Sequence, residues 1–128
     1  MKIKRLFALV AVLALCLSVL TVSVSAATIS GSISSGQHYI HTSYVLSTNG
    51  NVSMSGIVAS SSSVGGRFQL IHYMTLTTPT GVGNTYYIYP GGSFNTGMVP
   101  LGKTNYGGSI YPITGTHGTV ANVTVKTP

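Results

Sequence analysis

The chain has 128 residues and contains no Asp or Glu, against six Lys and Arg residues and four His, so its formal net charge is +6 at pH 7. Charged residues make up 5% of the sequence, whereas a typical globular chain has about 25%. This composition excludes chemistry that depends on side-chain carboxyl groups: the paired acids of ordinary glycosidases, carboxylate-rich calcium or magnesium sites and a complete Ser-His-Asp triad.

Residues 1–26 have the pattern of a secretory signal peptide. Three basic residues precede an apolar run over residues 6–20, and Val-Ser-Ala at 24–26 supplies small side chains where signal peptidase cleaves. We therefore expect cleavage after Ala26 and secretion of residues 27–128 as one domain; retention of the segment as a membrane anchor is the alternative. The one cysteine, Cys16, lies in this segment, and cleavage would leave a charge of about 6 − 3 = +3.

Along residues 27–128, short runs of alternating apolar and polar residues predict β-strands. The runs cover residues 28–34, 37–47, 52–58, 67–77, 85–89, 93–99, 105–112 and 119–125. Asn49-Gly50 lies between the second and third runs and predicts a tight hairpin, because a type I′ turn needs positive φ at both central residues. Residues 60–66 and 78–84 are rich in Ser, Gly and Pro and are expected to be loops.

Strand periodicity also predicts which side chains share a face. Three sets are expected, one in each of the second, third and fourth runs: Ile40, Tyr44 and Leu46; Val52, Met54 and Val58; Phe68, Leu70, Met74 and Leu76. Gly56 lies within the third run, where it indicates a bulge or a close backbone approach. Together these features predict an all-β, single-domain antiparallel β-sandwich of seven or eight short strands, with a small β-barrel as second choice.

The histidines do not form a recognisable metal motif. His38 and His41 are three residues apart in a predicted strand, so their side chains point to opposite faces. His72 falls among apolar residues and is expected in the core, and His117 falls in a turn. We predict no metal and no cofactor; a site of three distant histidines is the remaining alternative.

Exposed tyrosines are the strongest candidate for a binding surface. Tyr87 and Tyr89 lie on the strand face opposite Tyr86 and Ile88, so they are expected to be exposed if that pair packs in the core. Exposed tyrosine rings can hold sugar rings or a protein partner. Arg67 and Lys103 have no acidic neighbour in the sequence and favour an anionic partner. Three scattered cations are too few for a nucleic-acid surface.

The sequence therefore predicts a secreted, non-catalytic binding module of the cell surface or extracellular matrix. Its expected ligand is a glycan or an anionic envelope polymer, and its expected contact residues are Tyr87, Tyr89, Arg67 and Lys103. One alternative is a self-assembling fibre or matrix subunit, because an uncharged edge strand with Ile29 and Ile33 lacks the charges that block edge-to-edge pairing. A second alternative is a pore-forming or antimicrobial toxin, because residues 52–77 alternate like a membrane hairpin. Membrane contact is expected only for the toxin.

Overall fold

The alternating runs form strands in the computed structural model of the chain, which describes residues 26–75 and 78–128. The predicted signal peptide and Leu76 lie outside these residues, apart from Ala26. Within them, no helix is long and apolar enough to cross a membrane. The strands are β1 (Ala27–Ile33), β2 (Ile40–His41), β3 (Val45–Leu46), β4 (Asn51–Val58), β5 (Gly66–Thr75), β6 (Thr78–Ile88), β7 (Ser93–Asn95), β8 (Val99–Pro100), β9 (Asn105–Pro112) and β10 (Ala121–Thr127).

The strands form two antiparallel sheets that pack face to face. Sheet A has the order β1-β10-β4-β7, and β8 also pairs with β4. Sheet B has the order β2-β9-β5-β6, and β3 also pairs with β9. Three of these strands, β2, β3 and β8, are only two residues long. The predicted antiparallel β-sandwich is confirmed. The described residues form ten strands and not the expected seven or eight, because the strands expected over residues 37–47 and 93–99 are each divided in two.

The core lies between the inner faces of the two sheets. Val52, Met54 and Val58 of β4 are fully buried, as their two-residue spacing predicted. They pack with buried side chains of β10 and of the opposite sheet, namely Val123, Val125, Phe68, Leu70, Tyr106 and Ile110. Gly56 interrupts this row because a Cβ there would lie 2.6 Å from Phe94 Cε1 and 2.7 Å from Phe68 Cε1. Its register with β10 is continuous, so Gly56 marks a close approach and not a bulge.

The hairpin predicted at Asn49-Gly50 is wrong. Gly50 has φ of 86°, but no described residue other than glycine has positive φ, so the type I′ geometry is absent. Residues 47–50 cross from sheet B to sheet A, since β3 before them pairs with β9 and β4 after them pairs with β10. They are held locally by the Asn49 side chain, whose Oδ1 accepts a hydrogen bond of 2.9 Å from the Asn51 N–H. The hairpin expected over residues 52–77 is also wrong, because β4 and β5 lie in different sheets.

The predicted strand over residues 37–47 is interrupted at Thr42. Its backbone N–H donates to the Gly108 carbonyl at 2.9 Å, and its buried Oγ1 accepts from the Gly108 N–H at 2.9 Å. The interruption changes which residues of the segment point inward. Ile40 before it and Val45 after it both pack against the core, although they are an odd number of residues apart. Leu46 is consequently 54% exposed, and the face predicted for Ile40, Tyr44 and Leu46 is wrong.

The predicted loop at residues 78–84 belongs to strand β6, which pairs with β5 at the edge of sheet B. An edge strand tolerates Pro79, because one side of the strand needs no ladder hydrogen bond. The pairing shifts between Gln69 and Leu70, and again between Tyr73 and Thr75. The second shift breaks the two-residue period near Met74, which was predicted to face the core and is 79% exposed.

Candidate functional site

Four side chains on the outer face of sheet B lie side by side across adjacent strands. The register pairs Tyr111 of β9 with Arg67 of β5, and Arg67 with Tyr87 of β6. Tyr39, immediately before β2, stacks on Tyr111 with ring centroids 5.3 Å apart and planes 14° apart. We call these four residues the tyrosine–arginine row. With strands about 4.8 Å apart, the row spans about 14 Å.

The residues that alternate with the row along each strand pack in the core, so the row itself faces outward. Phe68 and Ile110 alternate with Arg67 and Tyr111 and are fully buried. In β6, Tyr86 faces inward and stacks on Phe94 with centroids 4.9 Å apart and planes 10° apart. Strand alternation then places the next side chain of β6, Tyr87, on the outer face.

The exposure predicted for Tyr87 and Tyr89 is confirmed. Tyr87 is 57% exposed and Tyr89 is 72% exposed, whereas Tyr86 and Ile88 are half-buried. Tyr89 follows the last residue of β6, at the end of the sheet where Arg67 lies. Their role as ligand contacts stays a prediction.

Arg67 carries the positive charge of the row. Its Cζ lies 5.0 Å from the centroid of the Tyr111 ring, a cation–π contact that orders the guanidinium. Because the chain has no Asp or Glu, no side-chain carboxylate of its own can pair with this charge. An exposed cation is therefore left for an external anion.

His41 supports the same tyrosine from the neighbouring strand. Its Nε2 is hydrogen-bonded to the Tyr111 hydroxyl at 2.8 Å, and its ring centroid lies 5.0 Å from that of Tyr39. Partial burial lowers the pKa of His41 below its ordinary value of 6.5, so the imidazole is mainly neutral at pH 7. Tyr111 is thus held between an imidazole, a second tyrosine and a guanidinium.

A depression of about 390 Å³ lies alongside three members of the row. Tyr39, Arg67 and Tyr111 line one side, and the lining also includes His38, Ile113 and Thr116. We call it the Arg67 depression. Its volume falls at the lower end of the range of small-ligand sites, about 300–1,000 Å³.

A second aromatic pair lies toward the other end of β5. Tyr44 and Tyr73 have ring centroids 5.4 Å apart, and the Tyr73 hydroxyl donates a 2.6 Å hydrogen bond to the Thr42 carbonyl. Burial raises the pKa of Tyr73. From Arg67 to Tyr73 is six residues of strand, about 20 Å, so this pair is separate from the row.

Lys103 was predicted to act with Arg67, but the structure does not bring them together. Lys103 is exposed in the loop before β9, next to Gly102, whose N–H donates to the Gly50 carbonyl. Arg67 lies opposite Tyr111, near the far end of β9, which places the two cations about 20 Å or more apart along the strand.

Sequence reasoning missed Tyr39, His41 and Tyr111 as members of the site. Tyr39 and His41 are two residues apart, so strand alternation places them on one face. Their meeting with Tyr111 depends on β9 lying between β2 and β5, which no local pattern indicates. Among the described residues, no three His, Cys, Asp or Glu side chains are grouped so that they could hold a metal ion.

No protein-family model and no curated protein matches the chain. The solved structures that are similar to it include the following two. One is PliG of Aeromonas hydrophila, a periplasmic inhibitor of g-type lysozyme, with 17% identity, a TM-score of 0.44 and coverage of 80% of this chain and 84% of that chain. The other comes from the endospore appendages of Bacillus, a family of disulfide-linked pili, with 13% identity, a TM-score of 0.40 and coverage of 80% and 86%. Similarity at this level assigns no function.

Proposed function

We propose that the protein is a secreted, non-catalytic binding module that holds anionic glycans of the cell surface or extracellular matrix on the tyrosine–arginine row. The observation that carries this proposal is the placement of Arg67 against Tyr111 and beside the exposed Tyr87, in a chain with no acidic side chain. The row combines ring faces with one uncompensated positive charge.

Each component matches a part of such a ligand. Exposed tyrosine rings offer apolar faces and hydroxyl groups at little conformational cost, and Tyr39 and Tyr87 are 53% and 57% exposed. The guanidinium supplies donors suited to an anionic group on the sugar. The row has no carboxyl group with which to cleave the ligand by the ordinary glycosidase mechanism, which favours binding over hydrolysis.

A comparison of two charge-removing variants tests the site. Binding of the purified protein to polygalacturonate is measured by calorimetry for the wild type, R67Q and K103Q. R67Q should weaken binding about 10-fold or more, because it removes a charge-assisted hydrogen bond worth about 1.5–3 kcal/mol. K103Q removes the same net charge far from the row and should change affinity less than about 2-fold, since exposed isolated charges contribute little.

Two outcomes contradict the proposal. Equal loss in R67Q and K103Q would mean that net charge, and not the row, determines binding. Absence of binding to polygalacturonate and to dextran sulfate alike would remove anionic glycans as the ligand class.

Self-assembly is a second candidate function, favoured by the edge strand β1. This strand is uncharged, and its seven residues pair with β10 in unbroken register, so its other side is suited to pairing with another chain. The opposite edge of sheet A is the three-residue strand β7, a poor acceptor for an extended strand. Sedimentation velocity over a range of concentrations tests this function; a single monomeric species at all concentrations would contradict it.

A further inference from the structure

We infer that the Arg67 depression binds the carboxylate of an acidic sugar residue, a uronate, in preference to a sulfate or phosphate ester. This inference rests on the proposed function and names the chemical group recognised at that site. It follows from the charge of the depression, the shape of the guanidinium and the distance between Arg67 and the tyrosines.

The charge of the depression matches a monoanion. Arg67 is the one permanent cation among the lining residues; the others offer imidazole, hydroxyl, aromatic or apolar groups, as in His38, Tyr39 and Thr116. A phosphate monoester carries about 1.5 to 2 negative charges at pH 7. Such a group would be left partly uncompensated, whereas a carboxylate is neutralised by one guanidinium.

The guanidinium suits a carboxylate better than a sulfate ester, because a sulfate ester spreads one negative charge over three oxygens and each of them accepts a weaker hydrogen bond than a carboxylate oxygen does. Arginine presents its N–H donors in a planar fork that matches the two oxygens of a carboxylate in a bidentate pair. The contact with the Tyr111 ring, 5.0 Å from Cζ to centroid, orders that fork before any ligand binds. A preorganised group loses less entropy on binding.

The distance from Arg67 to the tyrosines suits a carboxylate attached directly to a sugar ring. The Tyr39 and Tyr111 rings are 5.3 Å apart, and Tyr39 is 53% exposed at the edge of the depression. The Arg67 guanidinium lies 5.0 Å from the Tyr111 centroid, so it is at most about 10 Å from the Tyr39 ring. A sugar ring whose carboxylate pairs with Arg67 can reach the Tyr39 face across this distance. Thr116 also lines the depression; its hydroxyl shares a 3.2 Å hydrogen bond with His117 Nδ1 and keeps further hydrogen-bonding capacity for the hydroxyl groups of the sugar.

Because of the composition of the protein, a change in affinity at acid pH can be assigned to protonation of the ligand. The titratable and charged groups at the depression or next to its lining residues are Arg67, three histidines and three tyrosines: His38, His41, His117, Tyr39, Tyr87 and Tyr111. No Asp or Glu is present, so once the histidines are protonated no side chain of the protein titrates at lower pH. A carboxyl group on a sugar titrates near the α-carboxyl value of about 3.5, whereas a sulfate ester stays ionised. The C-terminal carboxyl group follows β10 in sheet A and is not among the residues that line the depression, so a loss of binding below pH 4 reports the ligand.

The experiment compares three soluble probes: galacturonate oligomers, their methyl esters and sulfated dextran oligomers. Affinities are measured from pH 5 to pH 2.5, with circular dichroism at each pH as the folding control. We expect binding of galacturonate oligomers to fall about tenfold by pH 2.5, where only about a tenth of carboxyls of pKa near 3.5 are ionised. The methyl esters should bind at least about tenfold more weakly than the acid at pH 5, because the charged hydrogen bonds are absent.

Arg67→Lys separates shape from charge, since it keeps the cation and removes the planar fork. Its affinity for galacturonate oligomers should fall about threefold or more, as expected for one lost hydrogen bond. Undiminished binding by R67K would overturn the inference, as would equal binding of acid and methyl ester.

The two proposals fail in different ways. Stronger binding of sulfated dextran than of galacturonate, unchanged at pH 2.5, would overturn the carboxylate inference and leave anionic-glycan binding intact. Failure of the folded protein to bind any charged probe would overturn both.

Discussion

Gly56 controls how closely the two sheets pack, and its replacement by alanine should be costly. A Cβ at this position would lie 2.6 Å from Phe94 Cε1 and 2.7 Å from Phe68 Cε1, shorter than a carbon–carbon contact at its optimum of about 3.5–4.0 Å. The rings cannot move apart freely, because Phe94 also stacks on Tyr86 at 4.9 Å. Overpacking of this kind costs about 1–3 kcal/mol.

Thermal unfolding gives the measurement. For a domain of about 100 residues, each kcal/mol lowers the Tm by about 4–8 °C, so G56A should melt at least that much below the wild type. Gly36→Ala is the matched control, because no atom lies within 4 Å of a Cβ there and its φ is not in the left-handed region. G36A should melt at or slightly above the wild type. A melt of G56A that coincides with that of the wild type would refute the close approach of the sheets.

Two further predictions concern Thr42 and His41. Thr42→Val removes the acceptor of the buried Gly108 N–H and should lower the free energy of unfolding, measured in urea, by about 1–3 kcal/mol. Thr42→Ser keeps the hydroxyl and should be much closer to the wild type. An equal loss in both variants would contradict a role for the hydroxyl. Burial lowers the pKa of His41 from 6.5, so the unfolded chain binds a proton more readily than the folded one. The resulting stability is complete above pH 6.5 and is lost as pH falls through the lower folded pKa. H41Q should flatten this part of the stability–pH curve; an unchanged slope would contradict the assignment.

Periodicity along the chain predicted the parts of the fold that depend on neighbouring residues. The inward set of β4 and the outward position of Tyr87 both follow from side chains alternating every two residues, and both are observed. The glycine inside an apolar run indicated a bulge or a close backbone approach at Gly56; the structure has a close approach there, but it is made by the Phe68 and Phe94 rings and not by backbone. Local patterns were sufficient for the alternation of side chains.

Strand partners could not be predicted in the same way. Asn49-Gly50 has a strong turn preference, yet the strands on either side of it pair with β9 and β10. Pairing with β9 allows the buried Thr42 to exchange two hydrogen bonds with Gly108, an interaction between residues far apart in sequence. Tertiary pairing of this kind overrides a local turn signal.

In the candidate site, too, local patterns predicted some members, and strand pairing determined the others. Arg67 and Tyr87 were identified from composition and alternation, and they are direct neighbours across β5 and β6. Tyr111 and Tyr39 complete the row only because β9 separates β2 from β5. Lys103 was included for its charge, and charge alone does not indicate position; the cation lies in the loop at the other end of β9.

The most direct test of the central claim is to map the contact surface in solution by ¹H–¹⁵N chemical-shift changes as galacturonate oligomers are added at pH 5. We predict that the largest changes occur at Arg67 and Tyr111 and extend to Tyr39 and Tyr87. Lys126, an exposed cation on the outer face of sheet A paired with Thr28 and Ser53, should not shift. Changes centred on Lys126 or Lys103, or spread evenly over the cations, would contradict the assignment of binding to the tyrosine–arginine row.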